Sequence, residues 1–339
     1  MATIKDVALE ANVSIATISK VLNNKGSISS ETQKRVLQAI DKIGYRKNLT
    51  ASMMKSHRSY TVGLVMPQIT NPFSPILAQK IETILMEKGY TMFLCNTNRK
   101  EQVELNYLKS LIERQVDGII IFGPSSKAVN WLNTSPIGNT PIVSIESAVN
   151  DDSDFIQIDN YSGMQEAIKY IVSLKHKNIA YLTGPLNRSC NQERLEAFKE
   201  TLRKMDMPVI EEFILESNFE YEGGYNLTWQ LLKHPTPPTA IFTGNDVMAF
   251  GAINCIIDQN LRVPDDISVI GFDNIPQSEY FIPSLTTINQ PAKELGMIAA
   301  KCILDRIQDN KCPQFYKLPT TLVIRRSTTY AVSNITGSR

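Results

Sequence analysis

Residues suited to metal or redox chemistry are scarce in this chain: 339 residues hold five cysteines and three histidines. Cys95, Cys190, Cys255, Cys302 and Cys312 are far apart, odd in number and without a CxxC pair, so neither a disulfide framework nor a zinc site is indicated. His57, His176 and His234 lack ligand spacing, and structural roles are expected for them. No apolar run approaches the ~20 residues of a membrane helix. The segment Met1 to Leu9, carrying Lys5 and Asp6, does not read as a secretory signal. GxGxxG after the first strand, GxxxxGK[ST], GxSxG and HExxH are also missing. The common dinucleotide, nucleotide-hydrolysis, esterase and metalloprotease sites are thereby excluded. These absences predict a soluble cytoplasmic protein with no cofactor, no metal and no membrane partner, and one that is not an enzyme.

What is present is organised unevenly. Residues 1–60 contain ten Lys or Arg and four Asp or Glu, a net of +6, whereas the remainder holds 25 against 30, a net of −5. A basic head on a mildly acidic body suits a polyanionic partner for the head, although a merely solvated basic face has the same composition. The length exceeds one ordinary core, so more than one domain is expected.

The head reads as three short helices. Thr3 can cap a helix from Ile4 to about Ala11, with Asp6 reaching back to the cap and Ile4, Val7 and Ala8 on one face. After Asn12 and Val13, Ser14 can cap a second helix, Ile15 to Leu22, with Ile18, Val21 and Leu22 as its apolar stripe. Ser29 or Ser30 opens a third that ends near Ile43, with Gly44 as its left-handed stop and Val36, Leu37, Ile40 and Ile43 as its buried side. Two helices about three residues apart form a helix-turn-helix, whose second helix can enter the major groove of duplex DNA. Ile15, Ala16, Thr17, Ser19 and Lys20 are left facing outward.

The runs Thr3-Ile4-Lys5-Asp6-Val7-Ala8, Val13 through Asn23 and Gly44-Tyr45 resemble the signature of the lactose-repressor (LacI/GalR) family, and the similarity continues through the whole chain. By that resemblance Ile15, Ala16 and Lys20 occupy base-reading positions, Thr17, Ser19 and Asn23 mostly position the phosphates, and Thr3 and Ser14 are also counted among the DNA-binding residues. Lys20 can donate to guanine, and Ala16 offers only apolar contact. Lys20 stands where the family often has Arg. The polar, basic stretch 47–60 then matches the family's hinge, a helix that orders on the operator as a dimer and wedges an apolar side chain into the minor groove. Met54 is at the wedge position, with Ala51 on the same face one turn earlier and Lys55 beside it. Packing of Met53 and Met54 on each other or on the body is the plainer alternative. Lys47 and Ser52 depart from the family's usual Pro and Arg.

From Thr61 onward, β-branched runs alternate with amphipathic segments. Val62–Met66, Met92–Cys95, Gly118–Phe122, Ile142–Ile145, Ile179–Thr183, Ala240–Thr243 and Ser268–Phe272 read as buried strands. Ile76–Lys88, Gln102–Arg114, Gly163–Leu174, Gln192–Met205, Tyr221–Leu232 and Val247–Gln259 read as helices. Such alternation predicts parallel sheets wrapped by helices, with ligands bound beyond the carboxyl ends of the strands. The fold expected is an all-α helix-turn-helix head plus an α/β body of two Rossmann-like subdomains with parallel sheets. The resemblance implies a body like that of periplasmic sugar-binding proteins, with crossings near residues 159, 289 and 320. The expected divisions are therefore 1–46 (DNA-binding head), 47–60 (hinge), 61–158 with 289–319 (one effector subdomain), and 159–288 with 320–333 (the other).

A ligand cleft needs a few placed donors and acceptors around an aromatic platform. Motif by motif, the resemblance assigns Phe73 and Phe219 as aromatic walls, Arg194 as the effector clamp, and Asn245, Asp246 and Asp273 as strand-end polar groups, with Asp273 foremost. Glu146 lies at a variable cleft position. Arg188 matches an arginine that the purine repressor sets on its corepressor, and a surface ion pair is its plainer alternative. The implied function is a homodimeric regulator, in the usual case a repressor, of a pseudo-palindromic double-stranded operator, under allosteric control by a small-molecule effector. A sugar or sugar phosphate is the base expectation, with a purine or nucleoside as alternative. A phosphorylated carrier protein serves a few relatives as corepressor. Two rivals of other classes, a transport-type sugar-binding protein and a sugar-metabolising enzyme, are disfavoured by the basic head and by the lack of a catalytic set.

Overall fold

The computed structural model describes residues 2–22, 28–45, 58–309 and 312–331. The chain divides into two compact units, Met1–Ser59 and Tyr60–Arg339.

In the first unit, α1 (Ile4–Glu10), α2 (Ile15–Leu22) and α3 (Ser30–Ile43) enclose a core of Val7, Ala8, Ala11, Ile18, Val21, Val36 and Ala39. Each helix starts on a hydroxyl cap, because the first N–H groups of a helix have no partner within it. Thr3 Oγ1 accepts from the Asp6 amide while Asp6 Oδ2 accepts from the Thr3 amide at 2.7 Å, a reciprocal capping box. Ser14 and Ser29 cap α2 and α3 through the amides of Thr17 and Thr32. Gly44, at φ +63°, ends α3 in the left-handed conformation that glycine adopts at little cost. One expectation fails: Leu37 is 48% exposed, and Ala39 takes its place in the core. With 3.6 residues per turn, Val36 and Ala39 share the inward stripe while Leu37 is turned about 100° from Val36.

The second unit is built on two six-stranded sheets. The first holds β1 (Thr61–Met66), β2 (Thr91–Asn96), β3 (Gly118–Phe122), β4 (Ile142–Ile145), β5 (Asp154–Ile158) and β11 (Phe315–Leu318), in the order β11-β5-β4-β3-β1-β2 and parallel throughout. The second holds β6 (Ile179–Thr183), β7 (Ile214–Glu216), β8 (Ala240–Thr243), β9 (Ser268–Asp273), β10 (Thr286–Asn289) and β12 (Thr321–Val323), in the order β12-β10-β9-β8-β6-β7. Here β12 runs antiparallel to β10, a departure from the all-parallel expectation. The chain passes between the sheets after β5, after β10 and after β11. A second departure is β2, whose Phe93 and Leu94 are 41% and 45% exposed: it is the edge strand of its sheet, not a buried one.

Around the sheets lie α4 (Phe73–Glu87), α5 (Glu101–Glu113), α6 (Ser126–Thr134), α7 (Asn160–Ser173), α8 (Ser189–Lys204), α9 (Tyr221–Leu232), α10 (Asp246–Asp258), the short α11 (Gln277–Tyr280) and α12 (Ala292–Asp309). Central strands such as β3 and β8 are buried along their length, as strands covered on both faces must be. Helix pairs pack closely, and α9 and α10 touch backbone to backbone. A Cβ at Gly224 would fall 2.1 Å from the Met248 carbonyl oxygen, and one at Gly251 would fall 2.1 Å from that of Tyr221. Among the described residues no helix is long and apolar enough to cross a membrane.

Candidate functional site

The head presents the outer face of α2. Ile15 is 44% exposed, Ser14, Ala16 and Lys20 are exposed, and Thr17 and Ser19 are half-buried. Ser14 and Thr17 are also tied to each other, their hydroxyls 2.9 Å apart at the start of the helix. Thr3 is exposed at the start of α1. Asn23, Ala51, Met54 and Lys55 lie outside the described residues.

In the second unit the carboxyl ends of strands from both sheets converge on a cavity. Phe73 and Glu146 reach it from the first sheet, and Arg188, Arg194, Phe219, Asn245 and Asp273 from the second. Seven of the eight cleft residues proposed from sequence are thus brought together.

Arg194 is the most tightly held of them. It projects from α8, 3% exposed, with its guanidinium stacked 3.6 Å from the Phe272 ring centroid. Its Nε donates to Asn160 Oδ1 at 2.7 Å and its Nη1 to the Gly244 carbonyl at 3.1 Å. Three anchors leave Nη2 directed toward Glu146, whose Oε1 is 3.9 Å away. Burial of this kind is tolerated because a guanidinium needs several acceptors in one plane, and the site supplies them. Burial pushes the Glu146 carboxyl above its ordinary range, and the nearby Arg194 opposes that shift.

Asp273 ends β9 at φ +119°, a backbone conformation that L-residues rarely adopt and that cavity-forming loops often hold. Its Oδ2 accepts from Asn71 Nδ2 at 3.1 Å and its Oδ1 from Gln290 Nε2 at 2.5 Å. Burial raises its pKa, and Arg194 and these two amides hold it down. Gln290 is itself 5% exposed and, among the described residues, its Oε1 has no partner, so the cavity wall presents a buried acceptor. Asn245 spends its amide on structure, its oxygen capping α10 at the Met248 amide (2.9 Å) and its nitrogen donating to the Phe219 carbonyl (3.0 Å).

Asp246 is a correction. It does not line the cavity: fully buried at the first position of α10, it accepts from the Ile275 amide at 2.9 Å, Ser278 Oγ at 2.6 Å and Thr287 Oγ1 at 2.5 Å. Its carboxylate is consumed in bracing the segment after β9. Conversely, sequence reasoning left out Gln68, Asn71, Arg99, Cys190 and Gln290, which line the cavity. Arg99 follows β2, so the strand-end rule that selected Asp273 points to it equally. Gln290 follows β10, a four-residue strand with no apolar run to mark it.

A small helix-turn-helix unit joined to a two-sheet body with a polar, arginine-lined cleft defines a ligand-controlled DNA-binding regulator. Residues 3–48 match the family described as bacterial regulatory proteins, lacI family, and residues 168–328 match a periplasmic binding protein-like domain. The HTH-type transcriptional repressor PurR of Histophilus somni is 35% identical over 96% of this chain and 99% of its own length. The ribose operon repressor of Escherichia coli is 35% identical over 91% of this chain and 93% of its own. Among solved structures, a lac repressor dimer bound to operator and an anti-inducer superposes with a TM-score of 0.86 at 26% identity, covering 97% of this chain and 99% of the other. A LacI-family regulator from Enterococcus faecium with bound ribose has a TM-score of 0.71 at 36% identity, covering 80% of this chain and 99% of the other. The chain belongs to the lacI family of bacterial regulatory proteins: it is a sequence-specific DNA-binding transcription regulator and not an enzyme.

Proposed function

We propose that this regulator acts in the cytoplasm as a homodimeric repressor, and that a sugar in the cleft between the two sheets controls its grip on a pseudo-palindromic operator. The observation that carries the choice of a sugar is the polarity of the cavity wall. Gln290 Oε1, the Asp273 carboxylate and the Glu146 carboxylate offer acceptors, and Nη2 of Arg194, facing Glu146, offers a donor. Hydroxyl groups, which both donate and accept, satisfy such an acceptor-rich wall with a guanidinium beside it, and Phe73 and Phe219 supply apolar faces for a sugar ring. The ribose bound in the Enterococcus faecium neighbour and the ribose operon repressors among the relatives support the same class. Phe73, Glu146, Arg188, Arg194, Phe219 and Asp273 are assigned to the effector, with Asn245 shaping the wall. Thr3, Ser14, Ile15, Ala16, Thr17, Ser19, Lys20, Asn23, Ala51, Met54 and Lys55 are assigned to DNA. The domain divisions proposed are the head 1–46, the hinge 47–60, and two subdomains that exchange chain near 159, 289 and 320.

A purine is the second reading, favoured by Arg188 at the cavity and by the similarity to PurR. Operator selection from a random duplex pool with the full-length protein, followed by competition with sugars, sugar phosphates and purine bases, tests both. A palindromic consensus whose binding responds to a sugar is the expected result. A response confined to purines overturns the sugar assignment, and no enrichment at low salt overturns the operator reading.

A further inference from the structure

We propose that Arg99 and Arg188 form an anion subsite at the solvent side of the cavity, so that the effector is a sugar carrying a phosphate ester. The inference rests on the sugar reading above and makes it specific. Arg99 reaches the cavity from the end of β2 in the first sheet, and Arg188 from the loop after β6 in the second. Both line the cavity and are close enough to influence each other electrostatically, with Arg188 half-buried and the Arg99 side chain 23% exposed, whereas that of Arg194 is 4% exposed.

Neither guanidinium is neutralised by a carboxylate at hydrogen-bond distance. Arg99 is held in place by the Phe219 ring, 4.8 Å from its centre, and by the Asn218 carbonyl, to which Nη1 donates. The nearest carboxylate, Glu220 Oε1, is 4.0 Å away and already accepts from Gln68 Nε2 at 2.6 Å. Arg188 Nη1 donates to the Gly123 carbonyl at 2.7 Å, and Arg188 forms no ion pair among the described residues. Each side chain is therefore oriented by one neutral acceptor, with further N–H groups left for a ligand.

The charge count points the same way. Three arginines line the cavity against two carboxylates, Glu146 and Asp273. Asp273 is engaged by Asn71 and Gln290, and Glu146 faces Arg194. Glu220, 4.0 Å from Arg99, offsets part of that excess, and Arg188 is the arginine left without an ion pair among the described residues. Burial disfavours the charged form of Arg99, Glu220 opposes that shift, Arg188 adds to it and Asp273 opposes it, and a bound dianion would add a further favourable charge beside the guanidinium. Two planar guanidinium forks reaching the cavity from different sheets suit the tetrahedral oxygens of a phosphate. A phosphate bridging the two sheets would also hold the cleft closed, which links ligand charge to conformation.

The test uses the full-length protein with D-ribose, D-ribose 5-phosphate and inorganic phosphate as probes, followed by calorimetry and thermal melting, in wild type, Arg99→Gln and Arg188→Gln. Unliganded melting curves that match wild type establish that the variants fold. The expected result is that D-ribose 5-phosphate binds at least about tenfold more tightly than D-ribose. That advantage should vanish in either variant while the affinity for D-ribose changes less. Inorganic phosphate that raises the melting temperature of wild type alone supports the subsite even if the ribose scaffold is the wrong one. If D-ribose binds as tightly as its phosphate ester, the subsite is overturned and the sugar reading stands. If neither D-ribose 5-phosphate nor inorganic phosphate binds, the subsite falls, and the competition panel above decides the sugar reading separately.

Discussion

Asp246 and Asp273 both follow a strand, yet their surroundings give them opposite roles. Replacing Asp246 with Ala strands three buried donors, the Ile275 amide and the Ser278 and Thr287 hydroxyls. A loss of about 3 kcal/mol in unfolding free energy is expected, read as a lower urea midpoint. An unchanged midpoint would show that the brace is dispensable. His176 allows a pH test at the same scale. It is 2% exposed, its Nε2 2.9 Å from the Thr329 carbonyl oxygen and its Nδ1 2.9 Å from Thr239 Oγ1. A carbonyl only accepts, so Nε2 carries the proton and Nδ1 accepts from Thr239. Burial lowers its pKa below the ordinary 6.5. The unfolded state therefore takes up a proton first as pH falls, so stability is fully present above pH 6.5 and declines as pH drops toward the folded-state value. The chain should melt less steeply with acidification in His176→Gln than in wild type. Equal slopes in the two proteins would remove His176 from the account.

At the scale of elements, α2 and β2 each carry an exposed surface that the fold does not use. Lys20 projects from the outer face of α2, and Lys20→Ala should weaken operator binding by ~1–3 kcal/mol in a fluorescence-anisotropy titration. A loss equal on all DNA sequences would make Lys20 a phosphate contact instead of a base reader. The edge strand β2 exposes Phe93 and Leu94, and Tyr60, whose carbonyl accepts from the Thr91 amide at the start of β2, and Met86 on the preceding helix are also exposed. Apolar edges of this kind invite pairing unless they are covered. We expect the second copy of the homodimer to cover this edge, so Phe93→Lys should shift the protein toward monomer in sedimentation velocity and weaken operator binding with it. A dimer that survives the change places the interface elsewhere.

The whole molecule separates reading DNA from sensing the ligand, because each unit has its own core. The basic residues 1–60 face a polyanion, so operator affinity should fall steeply and linearly on a log–log plot against salt. A chain reduced to residues 60–339 should keep effector affinity and lose operator binding. Retained DNA affinity would contradict the assignment of the head. Much of this organisation was legible in advance. The limits of β3, β4, β6 and β8 follow directly from runs such as Gly118–Phe122, since a central strand buried on both faces needs a continuous apolar stretch. The short or half-polar strands β5, β7, β10, β11 and β12 were not legible. A stretch such as Thr286–Asn289 has no period of its own, and it becomes a strand because β9 and β12 offer hydrogen-bond partners on either side.

The caps, turns and apolar periods of the head are local quantities, and the sequence by itself therefore determined its three helices, its family and the presence of an effector cleft. Through the family resemblance it also placed Phe73, Arg194 and Asp273 at that cleft, where the cavity holds them. Tertiary structure alone decided that Asp246 turns inward to its three donors, that Leu37 faces out, and that Arg99, Gln68 and Gln290 join the cavity from distant parts of the chain. The reason is physical: a cavity forms where strand ends from two sheets converge, and which side chains point into it depends on register and on neighbours that no local pattern encodes.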